Sequence, residues 1–172
     1  MRALRETRES DGWAASSERA QLLAIYGTAD ALFEGWTCAC GLKPDCCHFG
    51  VTGREPYPTA VELAEVRFAV RAAGFALRRP QDVSRGGRRL PGALDERRCP
   101  LLSHDGRCRI YASRPFGCRT HFCDRATAPW AARTKPPRDA LRELGARIAD
   151  LSARFAPRDP RPRPLVRALE GT

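Results

Sequence analysis

Lysine is nearly missing from this chain: Lys43 and Lys135 are the only two, so 28 of its 30 basic residues are arginine. Alanine, proline and glycine are abundant, and together the skew reads as a GC-rich coding bias rather than selection for phosphate contacts. The arginines are spread over nearly every segment instead of forming a stripe. A net charge of +10 is therefore no nucleic-acid signature by itself. Long apolar runs are also lacking: none approaches the eighteen or so residues that a membrane-spanning helix needs. The opening MRALRETRESDGW alternates charged and polar residues where an export signal needs an apolar stretch, so the expected location is cytoplasmic. There is no internal repeat, no Gly-rich G-x-G-x-x-G loop after a strand, and no C-x2-C knuckle. These absences count against repeat architectures, dinucleotide-dependent enzymes and ordinary zinc-finger pairs.

What the chain does have is cysteine, at positions 38, 40, 46, 47, 99, 108, 118 and 123 of 172 residues. In an exported protein eight thiols would suggest disulfides; in a reducing compartment, clustered cysteines are metal ligands first. Inert burial as small hydrophobes fits poorly, because none of the eight lies in an amphipathic helix and all lie near turn formers.

The organisation around them is helical. Residues 1–14 lack periodic hydrophobicity and read as a loose N-terminal arm; 15–156 read as one domain; 157–172 read as a Pro/Arg-rich C-terminal tail, extended and exposed over its prolines. Ser16 or Ser17 can cap a first helix whose Leu22, Ile25, Tyr26, Ala29, Leu32 and Phe33 recur at helical spacing, with Gly35 as its stop. Thr59 and Glu62 form a capping box for a second helix, with Leu63, Val66, Val70 and Ala73 inward and Gly74 closing it. A third runs from Asp139 to Phe155 on Leu141, Leu144, Ile148, Leu151 and Phe155. Between the second helix and the later cysteines, 78–98 is a polar Gly/Pro/Arg loop, and 125–137 is a turn-rich link.

Residues 99–112 suggest a hairpin turning at Asp105-Gly106. A two-residue loop pairs Ser103 with Cys108 and leaves the thiols of Cys99 and Cys108 about 13 Å apart, too far for one ion. A four-residue loop pairs Leu101 with Cys108 and makes Cys99 and Cys108 diagonal neighbours, roughly 7–8 Å apart. A shared metal therefore calls for the wider loop. The expected fold is mainly α: a small single domain with irregular Cys-rich loops and at most one short β-hairpin, stabilised by metal.

Thiolates ligate zinc in fours, and adjacent Cys46 and Cys47, if extended, point to opposite sides and serve different ions or corners of a cluster. One site or two stays open on these grounds. The stretches Cys38-Ala-Cys40-Gly-Leu-Lys-Pro-Asp-Cys46-Cys47, Thr59-x-x-Glu62, Cys99-Pro-Leu-Leu, Asp-Gly-Arg-Cys108-Arg-Ile-Tyr and Arg114-Pro-Phe-Gly-Cys118-Arg119-Thr-His-Phe-Cys123 together resemble the YkgJ-type cysteine-cluster family. That family is described as a zinc- or iron-chelating domain with a CxxCxxCC signature. The resemblance spans about Trp36 to Cys123. It implies chelation by Cys46, Cys47, Cys99, Cys108 and Cys118, with Cys123 beside them. Cys38 and Cys40 complete the set, although one residue separates them and the gap before Cys46 is longer than the family pattern has.

Arg114 and Arg119 flank Cys118. Four thiolates on a divalent ion leave a formal charge of −2, which guanidinium groups offset while donating to sulfur, so both arginines are expected against the centre. His48, His104 and His121 are expected as solvated or hydrogen-bonded loop residues, with His121 the best placed of them to replace a cysteine. The leading function is a cytoplasmic metal-binding protein holding zinc or iron, the iron as ion or iron–sulfur cluster. Similar cysteine clusters in flagellin lysine methylase-type proteins imply an iron–sulfur, S-adenosylmethionine enzyme as a second reading. A zinc-stabilised nucleic-acid binder using 78–98 is a third. No membrane contact is expected, and no protein partner is indicated. Cys108→Ser and Cys118→Ser are expected to destabilise the domain far more than any single arginine change.

Overall fold

A computed structural model describes residues 12–38, 45–77, 98–121, 126–127 and 137–170. Ser16 has extended backbone and its hydroxyl accepts the Arg19 amide at 3.1 Å, which caps helix α1, Ser17–Ala31. In chain order there follow β1 (Thr37–Cys38), a 3-10 turn (Asp45–Cys47), α2 (Phe49–Thr52), α3 (Ala60–Ala72), a second 3-10 turn (Tyr111–Ser113), α4 (Phe116–Arg119), β2 (Ala126–Thr127), α5 (Arg138–Phe155) and α6 (Leu165–Leu169). The protein is mainly helical, as its periodicity predicts. Its strands are two residues each, paired antiparallel with Thr37 opposite Thr127 and Cys38 opposite Ala126.

Helix α3 divides the molecule into two layers. Val61 joins Trp13, Leu22, Ile25, Tyr26, Ala29, Leu144, Ile148 and Leu151 in a core between α1, α3 and α5. Leu63, Val66 and Val70, at spacings of three and four on another face, join a second core with Phe49, Cys99, Leu101, Leu102, Ile110, Leu165, Ala168 and Leu169. Helices α1, α3 and α5 thus form one layer, and the cysteine-bearing loops with α2 and α6 the other. The boundaries agree closely with the capping signals. Thr59 donates its amide to Glu62 Oε2 at 2.8 Å, closing the capping box of α3, and Gly74 ends it in the left-handed region at φ 64°.

Several expectations change. Trp13, assigned to the loose arm, is buried, stands edge-on to Phe155 and donates Nε1 to Glu65 Oε2 at 3.0 Å. Residues 1–11 of that arm lie outside the described residues. Ala73 is exposed and Phe155 is 39% exposed, so each apolar stripe is shorter than its spacing suggests. The tail does not simply trail away. The Arg163 and Leu165 amides donate to the carbonyls of Pro58 and Pro56 at 3.1 Å each, and α6 then buries Leu165 and Leu169 in the cysteine-layer core. Each such leucine contributes roughly 1.5–3 kcal/mol by burial. The prolines end α5 but also aim a short helix back onto α3. The loop at 78–97 and the link at 128–136 lie outside the described residues.

Candidate metal centre

The first cysteine group is shaped by the 3-10 turn at Asp45–Cys47, closed by the His48 amide donating to the Asp45 carbonyl at 2.8 Å. An extended backbone here would turn the two thiols apart. In the tighter turn the Cys47 thiol donates to Cys46 instead, which lowers the exposed Cys46 to about 6 and pushes Cys47 upward.

The second group docks directly on the first. The Cys99 amide donates to the Cys47 carbonyl at 2.8 Å, and His48 and Arg98 form an antiparallel bridge. The chain then turns rather than extends, because the Leu102 amide donates back to the Cys99 carbonyl at 3.1 Å. The bridge that follows pairs Leu102 with Cys108, flanked by Ser103 N to Arg107 O and Arg109 N to Leu101 O, both at 2.9 Å. This register lies between the two considered from sequence: three residues, His104 to Gly106, form the loop. The Ser103 hydroxyl accepts the Arg107 amide at 3.0 Å and donates to Asp105, while Gly106 takes φ 80°, a conformation glycine adopts without penalty. The side chain of Ser103 selects the loop, and in this register the charge of Cys108 still reaches Cys99.

Cys118 arrives by a different route. Pro115 precedes α4, and its carbonyl accepts the amides of Cys118 at 2.9 Å and Arg119 at 3.1 Å. Burial pushes Cys118 up to about 12, reinforced by the charges of Cys99 and Cys108 and opposed by Arg114. Burial likewise pushes Cys99 up to about 12; the amides of Leu101 and Leu102 favour its thiolate, while Cys108 and Cys46 disfavour it. Cys108 is raised by burial and by Cys46, against the Ile110 amide and Arg114. The charge of Cys46 reaches Cys47, Cys99, Cys108 and Cys118, and Cys99 also acts on Cys47 and Cys118, so the five thiols share one neighbourhood. All five are free thiols. Among the described residues no three Cys, His, Asp or Glu side chains close around a single point in a metal-holding arrangement. The centre is a neighbourhood of thiols rather than a finished cage. Cys40 and Cys123 lie outside the described residues, and only the backbone of Cys38 is described.

The two arginines part company. Arg114 stacks on Tyr111 at 4.0 Å, favours the thiolates of Cys46, Cys108 and Cys118, and has a buried Nε with no hydrogen-bond partner among the described residues. A buried guanidinium N–H without an acceptor, set among thiols, suits a centre that turns anionic when its sulfurs ligate an ion. Soft thiolate donors of this kind fit zinc or iron. Arg119 is spent elsewhere: Nε on the Arg114 carbonyl at 2.9 Å, one terminal nitrogen on Asp30 at 2.5 Å, and the other on the Ala112 carbonyl. Its guanidinium also lies 4.2 Å from the Tyr26 ring, and the side chain is buried, so it ties the loop to α1 instead of facing sulfur. His121 is half-buried, and burial with the Arg54 charge holds its imidazole below the usual range. His104 is exposed at the hairpin tip, and His48 takes part in the bridge to Arg98.

Two carboxylates at this site were not read from sequence. Glu62 figured only as a cap and Glu65 not at all, yet both are almost wholly buried. The available signal was Glu65 standing on the Val61–Phe68 face of an amphipathic helix, where a charge needs partners. The profile of the CxxCxxCC family, described as "Putative zinc- or iron-chelating domain", matches residues 37–135. Comparison with curated proteins and with solved structures gives no match. The matched stretch is more than half the chain and contains every one of its eight cysteines. On that match, and with thiols from both halves of the motif meeting beside Arg114, the chain belongs to the CxxCxxCC family of zinc- or iron-chelating domains.

Proposed function

We propose that this protein chelates zinc or iron through Cys46, Cys47, Cys99, Cys108 and Cys118, with Cys38, Cys40 and Cys123 completing the donor set. One observation carries the reading. Unbridged thiols from three separate segments meet around a guanidinium whose buried Nε lacks an acceptor among the described residues. The strand pairing supports the outer cysteines as well, since Cys38 lies opposite Ala126, three residues beyond Cys123. When bound, the metal supplies cross-links between loops that have little regular structure, and that binding energy adds to folding energy. Cys99 and its neighbours bring the loops together; Arg114 offsets the charge that ligation creates. A reducing compartment, in which thiols stay unbridged, suits this chemistry. Iron bound by this set is either a single ion or an iron–sulfur cluster.

The test is the metal content of anaerobically purified protein, read with its visible spectrum. Stoichiometric zinc in a colourless sample, or iron with or without the broad absorption of an iron–sulfur cluster, supports the reading and decides the metal. Protein that folds fully and carries neither metal, even after loading with each, defeats it.

A further inference from the structure

Helix α3 presents Glu62 and Glu65 one turn apart, buried to 3% and 0% exposure, toward the loop between Cys108 and Cys118. Glu62 Oε1 accepts the Phe116 amide at 2.7 Å and the Tyr26 hydroxyl at 3.3 Å. Glu65 Oε1 accepts the Ser113 hydroxyl at 2.8 Å, while its Oε2 accepts Trp13 Nε1 at 3.0 Å and Arg19 Nε at 2.8 Å. Residues 113 and 116 are therefore each fixed to a carboxylate of one helix. The carbonyls of Ala112 and Arg114 are fixed at the same time by Arg119, itself paired with Asp30 of α1. Ser113 and Phe116 are thus tied directly to α3, and Ala112 and Arg114 are tied to α1 through Arg119. The Arg114 side chain is left to face the thiols, and Pro115, wholly buried, starts α4 with Cys118 three residues on.

Buried carboxylates are costly unless fully paired, and helical stability alone does not require two of them on this face. Capping α3 needs only the Thr59 contact of Glu62 Oε2. The remaining acceptors all serve residues 13, 19, 26, 113 and 116, which lie 36 to 54 positions away in sequence. We infer that Glu62 and Glu65 are positioning residues for the metal centre: they clamp the 112–116 loop so that Arg114 and Cys118 are set in place before an ion arrives. The inference rests on the chelation reading above. Its consequence is that metal affinity depends on contacts with the loop that contain no sulfur, because a loop left free must be ordered at the moment of binding.

Ser113→Ala tests this with little structural damage, since it removes one hydroxyl and leaves Glu65 paired with Trp13 and Arg19. Arg19→Ala is the control: it removes a Glu65 partner on the side of α1, away from the loop. Zinc affinity would be measured by competition with a chromophoric chelator, and the melting temperature of each metal-free variant recorded beside it. The expected result is a loss of about ten- to a hundredfold in zinc affinity for Ser113→Ala. Its metal-free melting temperature should fall only modestly, and Arg19→Ala should lower the melting temperature further while keeping more of the affinity. Equal zinc affinity in wild type and Ser113→Ala overturns the clamp, and so does an affinity loss in Arg19→Ala as large as that in Ser113→Ala. A wild-type chain that takes up no zinc or iron overturns the chelation reading and the clamp together.

Discussion

Arg114 and Arg119 stand five residues apart on either side of Cys118, and their surroundings assign them opposite work. Arg114 favours the charged form of three thiols, so its loss makes those sulfurs hold their protons more tightly. Ligation requires the protons to leave. Arg114→Ala is therefore expected to release metal at higher pH than the wild type, with Arg114→Lys between them because lysine restores charge but not the Nε–H. An acid titration of metal-loaded protein with a free-metal indicator reads the midpoint directly; unchanged midpoints would remove Arg114 from the centre. Arg119 instead satisfies Asp30 and two backbone carbonyls from a buried position. Arg119→Ala should cost roughly 3–5 kcal/mol in urea unfolding of the metal-free protein, as loss of the buried partner of an ion pair generally does. Cys108→Ser and Cys118→Ser should still cost more than Arg119→Ala once the metal is bound, because they remove ligands as well. The same residue type, in the same motif, does electrostatic work at one position and structural work at the other.

At the scale of elements, α1, α3 and α5 were legible because each carries a local punctuation mark and an apolar period. Ser16, the Thr59–Glu62 box and the positive-φ Gly74 need no knowledge of the rest of the chain. The elements that escaped are those whose cause is remote. Helix α6 is five residues long and preceded by prolines, so nothing local favours it; docking of Leu165 and Leu169 against α3 does. The hairpin register turned on the hydroxyl of Ser103, which a count of loop residues does not weigh. Glu65 has partners 46, 48 and 52 residues away, and no window along the sequence shows them. The cysteine neighbourhood was legible in composition and in resemblance, whereas the closing of the Cys46–Cys47 turn was not. One element-scale prediction separates local from remote causes. Thr59→Ala removes a cap from α3 and should cost about 1 kcal/mol in thermal unfolding, with zinc affinity unchanged. A large loss of affinity in that variant would mean that the helix start, rather than Glu62 and Glu65, sets the loop.

For the whole molecule, the two cores answer differently to the metal. Among the described residues the core between α1, α3 and α5 contains no cysteine, whereas the other includes Cys99 and packs against Cys47 and Cys108. A chelator should leave most of the far-ultraviolet helical signal in place while the cysteine layer loosens, exposing thiols to modification. The pH dependence then has opposite signs in the two states. In the metal-free protein, burial keeps Cys99 and Cys118 protonated up to about 12, whereas the unfolded chain releases those protons near about 8.5. The folded state thus binds more protons between these values, so its stability is complete below the lower one and declines as pH rises through the window. In the metal-loaded protein the same sulfurs are ligated thiolates, and acid removes the ion by protonating them, so stability declines as pH falls. Melting temperatures across a pH series, with and without chelator, should therefore diverge toward alkaline pH and converge toward acid pH. Parallel curves would mean that no ion is bound through these buried sulfurs, whatever metal the protein carries elsewhere.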